Sequence, residues 1–388
     1  MTTIARQHVD WGGLNKWTAH TTEQALAIQR IPAPTFFEAD RARYVAAAFA
    51  EVGLRQIDSD TLHNVYGLLP GRTRAALLVT AHTDTVFDSA TVLDAVHRDD
   101  GTITAPGLGD NSIGVAALIS LAQFVREQGF TLPCDVHFVA TTREEGLGDL
   151  GGMRAAFDRL RAQVGAVVNL EGLALGHIYN AGIAVRRLRI QTSADGGHSW
   201  LHFGQPSAIH TLMELGARIA HMRPPQQPRT TYNIGWITGG QSINSIASRA
   251  EMLLDLRSEQ AGALAALERE VRQIVNEARS SKVDVLVEVI GDRPAGMIAP
   301  SHALVRAAAD ALSAVGIRGV LEAGSTDGNI PLAAGCPTVT VGVTRGGNAH
   351  RIDEYIETAP IADGLRQIAL LVFEACHLVA SGVIAKGA

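Results

Sequence analysis

From Ala75 to Val86 the chain passes through Ala76, Leu77, Leu78, Val79, Thr80 and Ala81 with almost no polar alternation. Such a run predicts a strand covered on both faces, since a half-exposed strand would alternate with a period of two. Shorter runs of the same kind predict strands over residues 135–141, 166–170 and 338–343, and a short one over 62–69 is turned by Pro70-Gly71. Helical periodicity fills the intervals. Residues 21–29 form one predicted helix, stopped by Ile31-Pro32-Ala33-Pro34. Residues 38–52 form an Ala-rich second, closed by Gly53. A third follows Ser112, with Ile113, Ala117, Leu121 and Phe124 on its apolar face. Strands alternating with helices indicate an α/β sheet, largely parallel.

Between residues 182 and 292 the pattern changes. Residues 183–192 alternate like a strand with one exposed face, 206–221 read as an amphipathic helix, and 229–237 and 251–257 as strands. A helix over 261–279 and a strand over 283–290 complete a β-α-β-β-α-β order, which is the split ferredoxin-like unit. The expected organisation is therefore an inserted α+β domain, 182–292, inside a larger α/β domain made of 1–181 and 293–388.

Composition narrows the function classes. A chain of 388 residues, 46% hydrophobic and 19% charged, has ample material for two cores. The formal charge of -6 gives no basic footprint for nucleic acid or an anionic membrane. Cys134, Cys336 and Cys376 lie far apart, without metal or redox spacing, which fits a reducing compartment. The first residues lack the apolar core of a signal peptide, and no uncharged apolar run reaches membrane-spanning length. A cytoplasmic protein without nucleic-acid or membrane partners is expected.

The chemistry gathers where the strands end. The first strand finishes in His82-Thr83-Asp84, whose His and Asp point to the same side. A carboxylate beside an imidazole is the arrangement that orients a metal-ligand ring. Later strands run into Glu144-Glu145, Glu171 and a loop ending at His350. In an α/β sheet, ligands bind beyond the carboxyl ends of the strands. Two imidazoles and several carboxylates make the ligand set of a two-metal hydrolytic centre, suited to Zn2+ with Mn2+ or Co2+ as substitutes. Asp110, alone in the Gly-flanked turn before the third helix, is the natural anionic bridge between two cations. Of Glu144 and Glu145, one should ligate and the other serve as a general base.

Taken together, His82-Thr83-Asp84, Asp110-Asn111, Glu144-Glu145-Gly146, Glu171-Gly172 and His350 resemble the aminoacylase, glutamate carboxypeptidase and succinyl-diaminopimelate desuccinylase family of dizinc amidohydrolases. The resemblance implies a dizinc aminopeptidase-like catalytic domain around a mixed, mostly parallel sheet, carrying an inserted lid and dimerisation domain. It implies that His82 and Glu171 hold one zinc, that Glu145 and His350 hold the other, and that Asp110 bridges. Glu144 would be the base, Asp84 would orient His82, and a cis peptide would follow Asp110. In the insert, Gly196-Gly197-His198-Ser199 resembles the lid motif, and Asn244 and Arg257 resemble substrate-anchoring residues. His202, close to His198, is the other histidine to watch, and Gly324-Ser325-Thr326-Asp327-Gly328 resembles a loop near the substrate. The implied activity is hydrolysis of an amide or peptide bond in an N-acyl amino acid or short peptide, by a homodimer paired through the insert. Glu171 points to the carboxypeptidases and deacylases, the loop at 324–331 and Gly197-His198-Ser199-Trp200 to the tripeptidase-like branch. The alternative is a catalytically weak, metal-dependent binding protein of the same fold. An intact Glu144 speaks against it.

Overall fold

The computed structural model describes residues 14–279 and 282–384, so residues 1–13, where the sequence was read for a leader, lie outside the described residues. The chain divides into two compact units, Met1–Gly182 with Gly296–Ala388, and Ile183–Ala295. The first unit opens with α1 (Leu14–Gln29), α2 (Ala39–Glu51), β1 (Arg55–Ser59), β2 (Val65–Leu69), β3 (Thr73–His82), β4 (Val96–His97) and β5 (Thr102–Thr104). It continues with α3 (Ile113–Glu127), β6 (Cys134–Thr141), α4 (Gly151–Leu160), β7 (Val164–Glu171) and β8 (His177–Gly182). The second unit contributes β9 (Ala184–Ala194), β10 (Gly197–His198), α5 (Ala208–Ala220), β11 (Thr230–Gly239), β12 (Ser245–Ile246), β13 (Arg249–Ser258), α6 (Ala261–Ala278) and β14 (Val283–Arg293). The first then resumes with β15 (Gly296–Met297), α7 (Ala303–Ala314), β16 (Val320–Gly324), α8 (Asn329–Ala333) and β17 (Thr338–Gly342). It closes with β18 (Gly346–Gly347), β19 (Tyr355–Glu357) and α9 (Ile361–Ala380).

The main sheet of the first unit runs β1-β2-β6-β3-β7-β17-β8-β15, with β16 also on β8. Its centre, β6-β3-β7-β17, is parallel, and the flanks are largely antiparallel. The unalternated sequence of β3 is explained by the two cores it separates. Leu77, Val79 and Ala81 join the large cluster, which includes residues of α1, α3 and α9. Ala76 and Leu78 join a smaller cluster with Met153 and Phe157 of α4. Each fully buried leucine contributes about 1.5–3 kcal/mol, so a one-residue slip of β3 would scramble both cores and displace His82. β1 has no signature in the hydrophobic pattern because its five residues are exposed or half-buried and pair with β2 alone. Leu108–Glu127 is long and apolar enough to cross a membrane, and 89% of that window is buried in the protein, as a core helix should be.

The second unit is a four-stranded antiparallel sheet, β11-β13-β9-β14. Helices α5 and α6 supply Leu212, Leu215, Leu267 and Val271 to a core completed by Leu188, Ile190, Met252 and Leu254. This is the ferredoxin-like order that the sequence pattern predicts. β11 is an edge strand, and Trp236 and Ile237 on it are exposed.

Candidate active site

The four parallel strands at the centre of the main sheet lead into charged side chains. β3 ends at His82, whose Nδ1 lies 3.1 Å from the backbone carbonyl oxygen of Asp84 and 3.6 Å from its Oδ1. The nearer partner of the ring is thus the peptide oxygen, a refinement of the carboxylate–imidazole pairing expected from sequence. The Asp84 carboxylate is fully buried and has other work. Its Oδ1 accepts the backbone N–H of Glu144, and its Oδ2 that of Glu145, both at 2.9 Å. Asp84 therefore ties the end of β3 to the turn that follows β6.

The Asp110 turn is docked just as firmly. Residues 108–112 form one widened helical turn in which Asp110 and Asn111 leave helical geometry, and the Asp110-Asn111 peptide is cis. Asn111, just before α3, donates to the carbonyl of Leu170 and accepts from the N–H of Gly172, bracketing Glu171. Gly172 is required there, since a Cβ would stand 1.9 Å from the carbonyl oxygen of Gly109. The Asp110 carboxylate lies between the two imidazoles. Oδ1 is 3.0 Å from His82 Nε2, and Oδ2 is 3.1 Å from His350 Nε2. Glu145 Oε1 shares His350 Nε2 at 3.0 Å, and Glu171 Oε2 lies 3.5 Å from His82 Nε2.

His82, Asp110 and Glu145 offer ligand atoms that all lie within 4.8 Å of one another. Nitrogen and carboxylate oxygen donors so close suit a borderline divalent cation. The electrostatics agree. Contacts with Asp110 and Glu145 hold His350 up to about 10. Burial opposes charge on His82, yet Glu171, Asp110 and Asp84 outweigh it and keep the ring well above its ordinary value. Burial pushes Glu145 up to about 7, with Glu144 and Asp110 adding to the rise and His350 opposing it. Negative charge dense enough to keep two imidazoles protonated also draws metal cations, which compete with those protons. Glu144, 6% exposed, follows on the same turn as Glu145, and its charge acts on Glu145, Glu171 and Asp327.

Two buried carboxylates escaped the sequence reading of roles. Glu354 Oε1 accepts the N–H groups of Gly109 at 2.6 Å and Asp110 at 2.9 Å, fixing the turn from 245 residues away. No periodic signal marks a lone loop glutamate. Asp327, in the loop that resembles one near the substrate, is fully buried, and its Oδ2 accepts from Thr141 Oγ1 at 2.6 Å.

The second unit holds the other three expected residues. His198 and Asn244 meet on the β10–β12 ribbon, where Ser199 N–H donates to the Asn244 carbonyl. His198 Nδ1 accepts from Trp200 N–H at 3.2 Å, and His202 Nδ1 accepts the His198 N–H at 2.9 Å. His202 thus shapes the loop. Arg257, on β13, is paired through Nε with Asp255 Oδ1 at 2.7 Å.

No curated protein sequence matches the chain. Among solved structures, a tripeptidase from Staphylococcus aureus is 22% identical, with a TM-score of 0.76 over 94% of this chain and 99% of that one. A di-peptidase from Saccharomyces cerevisiae is 13% identical, with a TM-score of 0.77 over 95% and 98%. A dinuclear metal-binding peptidase from Bacillus subtilis is 18% identical, with a TM-score of 0.68 over 94% and 99%. These likenesses concern the fold. The family model for peptidase family M20/M25/M40 matches residues 78–374, from within β3 into α9, and the chain belongs to that family of metallopeptidases.

Proposed function

We propose that the protein hydrolyses the amide or peptide bond of an N-acyl amino acid or a short peptide at a dinuclear metal centre. The observation that carries this reading is the Asp110 carboxylate, with one oxygen toward each of two imidazoles. His82 and Glu171 would hold one cation, Glu145 and His350 the other, with Asp110 between them. Two bound cations, zinc in the first instance, would supply a water of lowered pKa and an electrophilic hold on the carbonyl oxygen.

Glu144 is the general base. It takes a proton from the attacking water and hands it to the leaving amine. Asp84 supports it by accepting the backbone N–H groups of both Glu144 and Glu145, which restrains the turn that carries them. His198 is assigned to the developing oxyanion, and Arg257 with Asn244 to a substrate carboxylate. His198 is exposed and borne on a Gly-Gly loop of the second unit, and β11 is an edge strand carrying exposed Trp236 and Ile237. These features support a homodimer paired through the second units, in which His198 serves the partner copy. Two of the structural neighbours, a tripeptidase and a di-peptidase, favour short peptides as substrates. Cys134, Cys336 and Cys376, all buried, fit a reducing, cytoplasmic setting.

The test is a screen of N-acyl amino acids, dipeptides and tripeptides with Zn2+, Mn2+ or Co2+ added, run on wild type and Glu144→Gln. Wild type should hydrolyse at least one class in a metal-dependent way. Glu144→Gln should lose about 10²-fold or more in kcat while keeping its metal. Metal-dependent turnover that survives in Glu144→Gln would move the base elsewhere, and no turnover of any class by wild type would favour a binding protein.

A further inference from the structure

We infer that Glu38 is a positioning residue for this site, holding through one carboxylate oxygen the turn that presents Glu144 and Glu145. The inference rests on the function proposed above for its catalytic meaning, though not for its geometry. Glu38 stands immediately before α2, where a glutamate ordinarily faces solvent and the helix N-terminus. Here its side chain makes no capping bond and is fully buried. Oε1 accepts two backbone N–H groups, from Phe36 at 3.0 Å and from Arg143 at 3.1 Å. Oε2 is buried and makes no hydrogen bond among the described residues.

Burying a carboxylate is costly unless strong partners compensate. The nearby cation, Arg41, directs its donors to the carbonyls of Ile31, Gln29 and Thr83, the last at 2.6 Å. The N–H groups of Phe36 and Arg143 therefore give the Glu38 carboxylate its hydrogen bonds, with Arg41 adding a longer-range attraction, and the Arg143 contact is where its burial has an effect on the site.

Arg143 needs such a restraint. Its φ of 57° is left-handed, a conformation that a long side chain adopts only when its surroundings impose it. The next two N–H groups, of Glu144 and Glu145, are bound by Asp84. Two buried carboxylates thus take three successive N–H groups of one turn, and the far side of the brace is closed by Thr35 Oγ1 donating to Asp84 Oδ2 at 2.9 Å. The Arg143 guanidinium lies 5.2 Å above the Phe36 ring, joining the same two segments a second time. If Glu38 let go, the left-handed residue would relax and swing the two glutamates that follow. A displacement near 1 Å at a reacting group costs about 10²-fold in rate.

Two conservative variants separate reach from charge. Glu38→Gln keeps an accepting oxygen where Oε1 stands and removes the charge. Glu38→Asp keeps the charge and withdraws the oxygen by one methylene. Amide hydrogen exchange of residues 143–145, read on the full chain without substrate or added metal, should match wild type in Glu38→Gln and rise about tenfold or more in Glu38→Asp. On the best substrate, kcat should fall about ten- to a hundredfold in Glu38→Asp, with KM within about twofold, and stay near wild type in Glu38→Gln. Wild-type exchange and kcat in Glu38→Asp would overturn the inference. So would damage confined to Glu38→Gln, which would make charge rather than the reach of the oxygen the cause. Should Glu38→Asp not fold, Glu38→Gln decides alone: exchange at 143–145 at the wild-type rate supports the brace, and a tenfold rise overturns it. The exchange result needs no turnover, so failure of the brace and failure of the proposed hydrolysis are told apart.

Discussion

At the carboxyl ends of β3, β6 and β7 the charged groups are buried or half-buried, and together with the exposed His350 that follows β17 they are already engaged with one another. Asp84 binds two backbone N–H groups, Glu354 binds two more, and Asp110 faces two imidazoles. In the second unit the three residues with a proposed role are exposed. His198 hydrogen-bonds with Trp200 and His202 of its own loop, Asn244 with Ser242, and Arg257 is held by Asp255 two residues away. The contrast teaches where the binding energy is stored. In the first unit, burial makes each contact strong and each position fixed, so metal and water would meet a finished frame. Exposed residues gain little from their contacts until a substrate or another copy removes the water around them.

The largest effect that sharpens this contrast is expected from His198. His198→Ala should lower kcat by about 10²-fold, the loss typical of one oxyanion donor, with metal content unchanged. Mixed dimers with Glu144→Ala should regain about a quarter of the wild-type sites, because half the random dimers are mixed and each has one complete site of two. Verified mixed dimers without any regained activity would confine His198 to its own chain or to no role, and the contrast between the units would lose its functional meaning.

A smaller effect comes from Asp327 in the frame of the first unit. Burial, aided by Glu144, holds its carboxyl up to about 8, above the roughly 3.9 of an unfolded chain. A folded pKa raised above the unfolded one gives stability that is complete below pH ~4 and is lost as pH rises toward 8. Asp327→Asn removes this titration. Urea midpoints of metal-free protein should therefore fall less steeply from pH 5 to pH 8 in the variant, the difference reaching at most about 1.4 kcal/mol per pH unit. Parallel pH curves would show Asp327 to be charged in the fold and would weaken the picture of a tightly desolvated frame.

Sequence patterning made β3, β6, β7 and β17 legible because each is apolar on both faces, and their ends carry the residues that would ligate metal. The second unit was legible almost element by element, since half-exposed strands and amphipathic helices alternate with the periods that physics requires. The sequence reading does not include β8, β16, α4 or α7, and what escaped besides was of two kinds. β1 and the two-residue strands β4, β10, β12, β15 and β18 have no hydrophobic repeat to read. Glu38, Glu354 and Asp327 are single carboxylates whose roles depend on partners 105, 245 and 186 residues away. Tertiary structure alone makes them neighbours. Asn111 illustrates the same limit, because a residue at a helix start reads as a cap until its side chain is seen to bind Leu170 and Gly172.

The central claim is that one aspartate between two imidazoles makes a two-cation centre. Metal stoichiometry of gently purified protein, measured by elemental analysis on wild type and Asp110→Ala, tests it most directly. The account predicts close to two zinc-like ions per chain in wild type and a clear loss in Asp110→Ala, with the fold intact by circular dichroism. A single ion per chain in wild type, or two ions retained in Asp110→Ala, would contradict it.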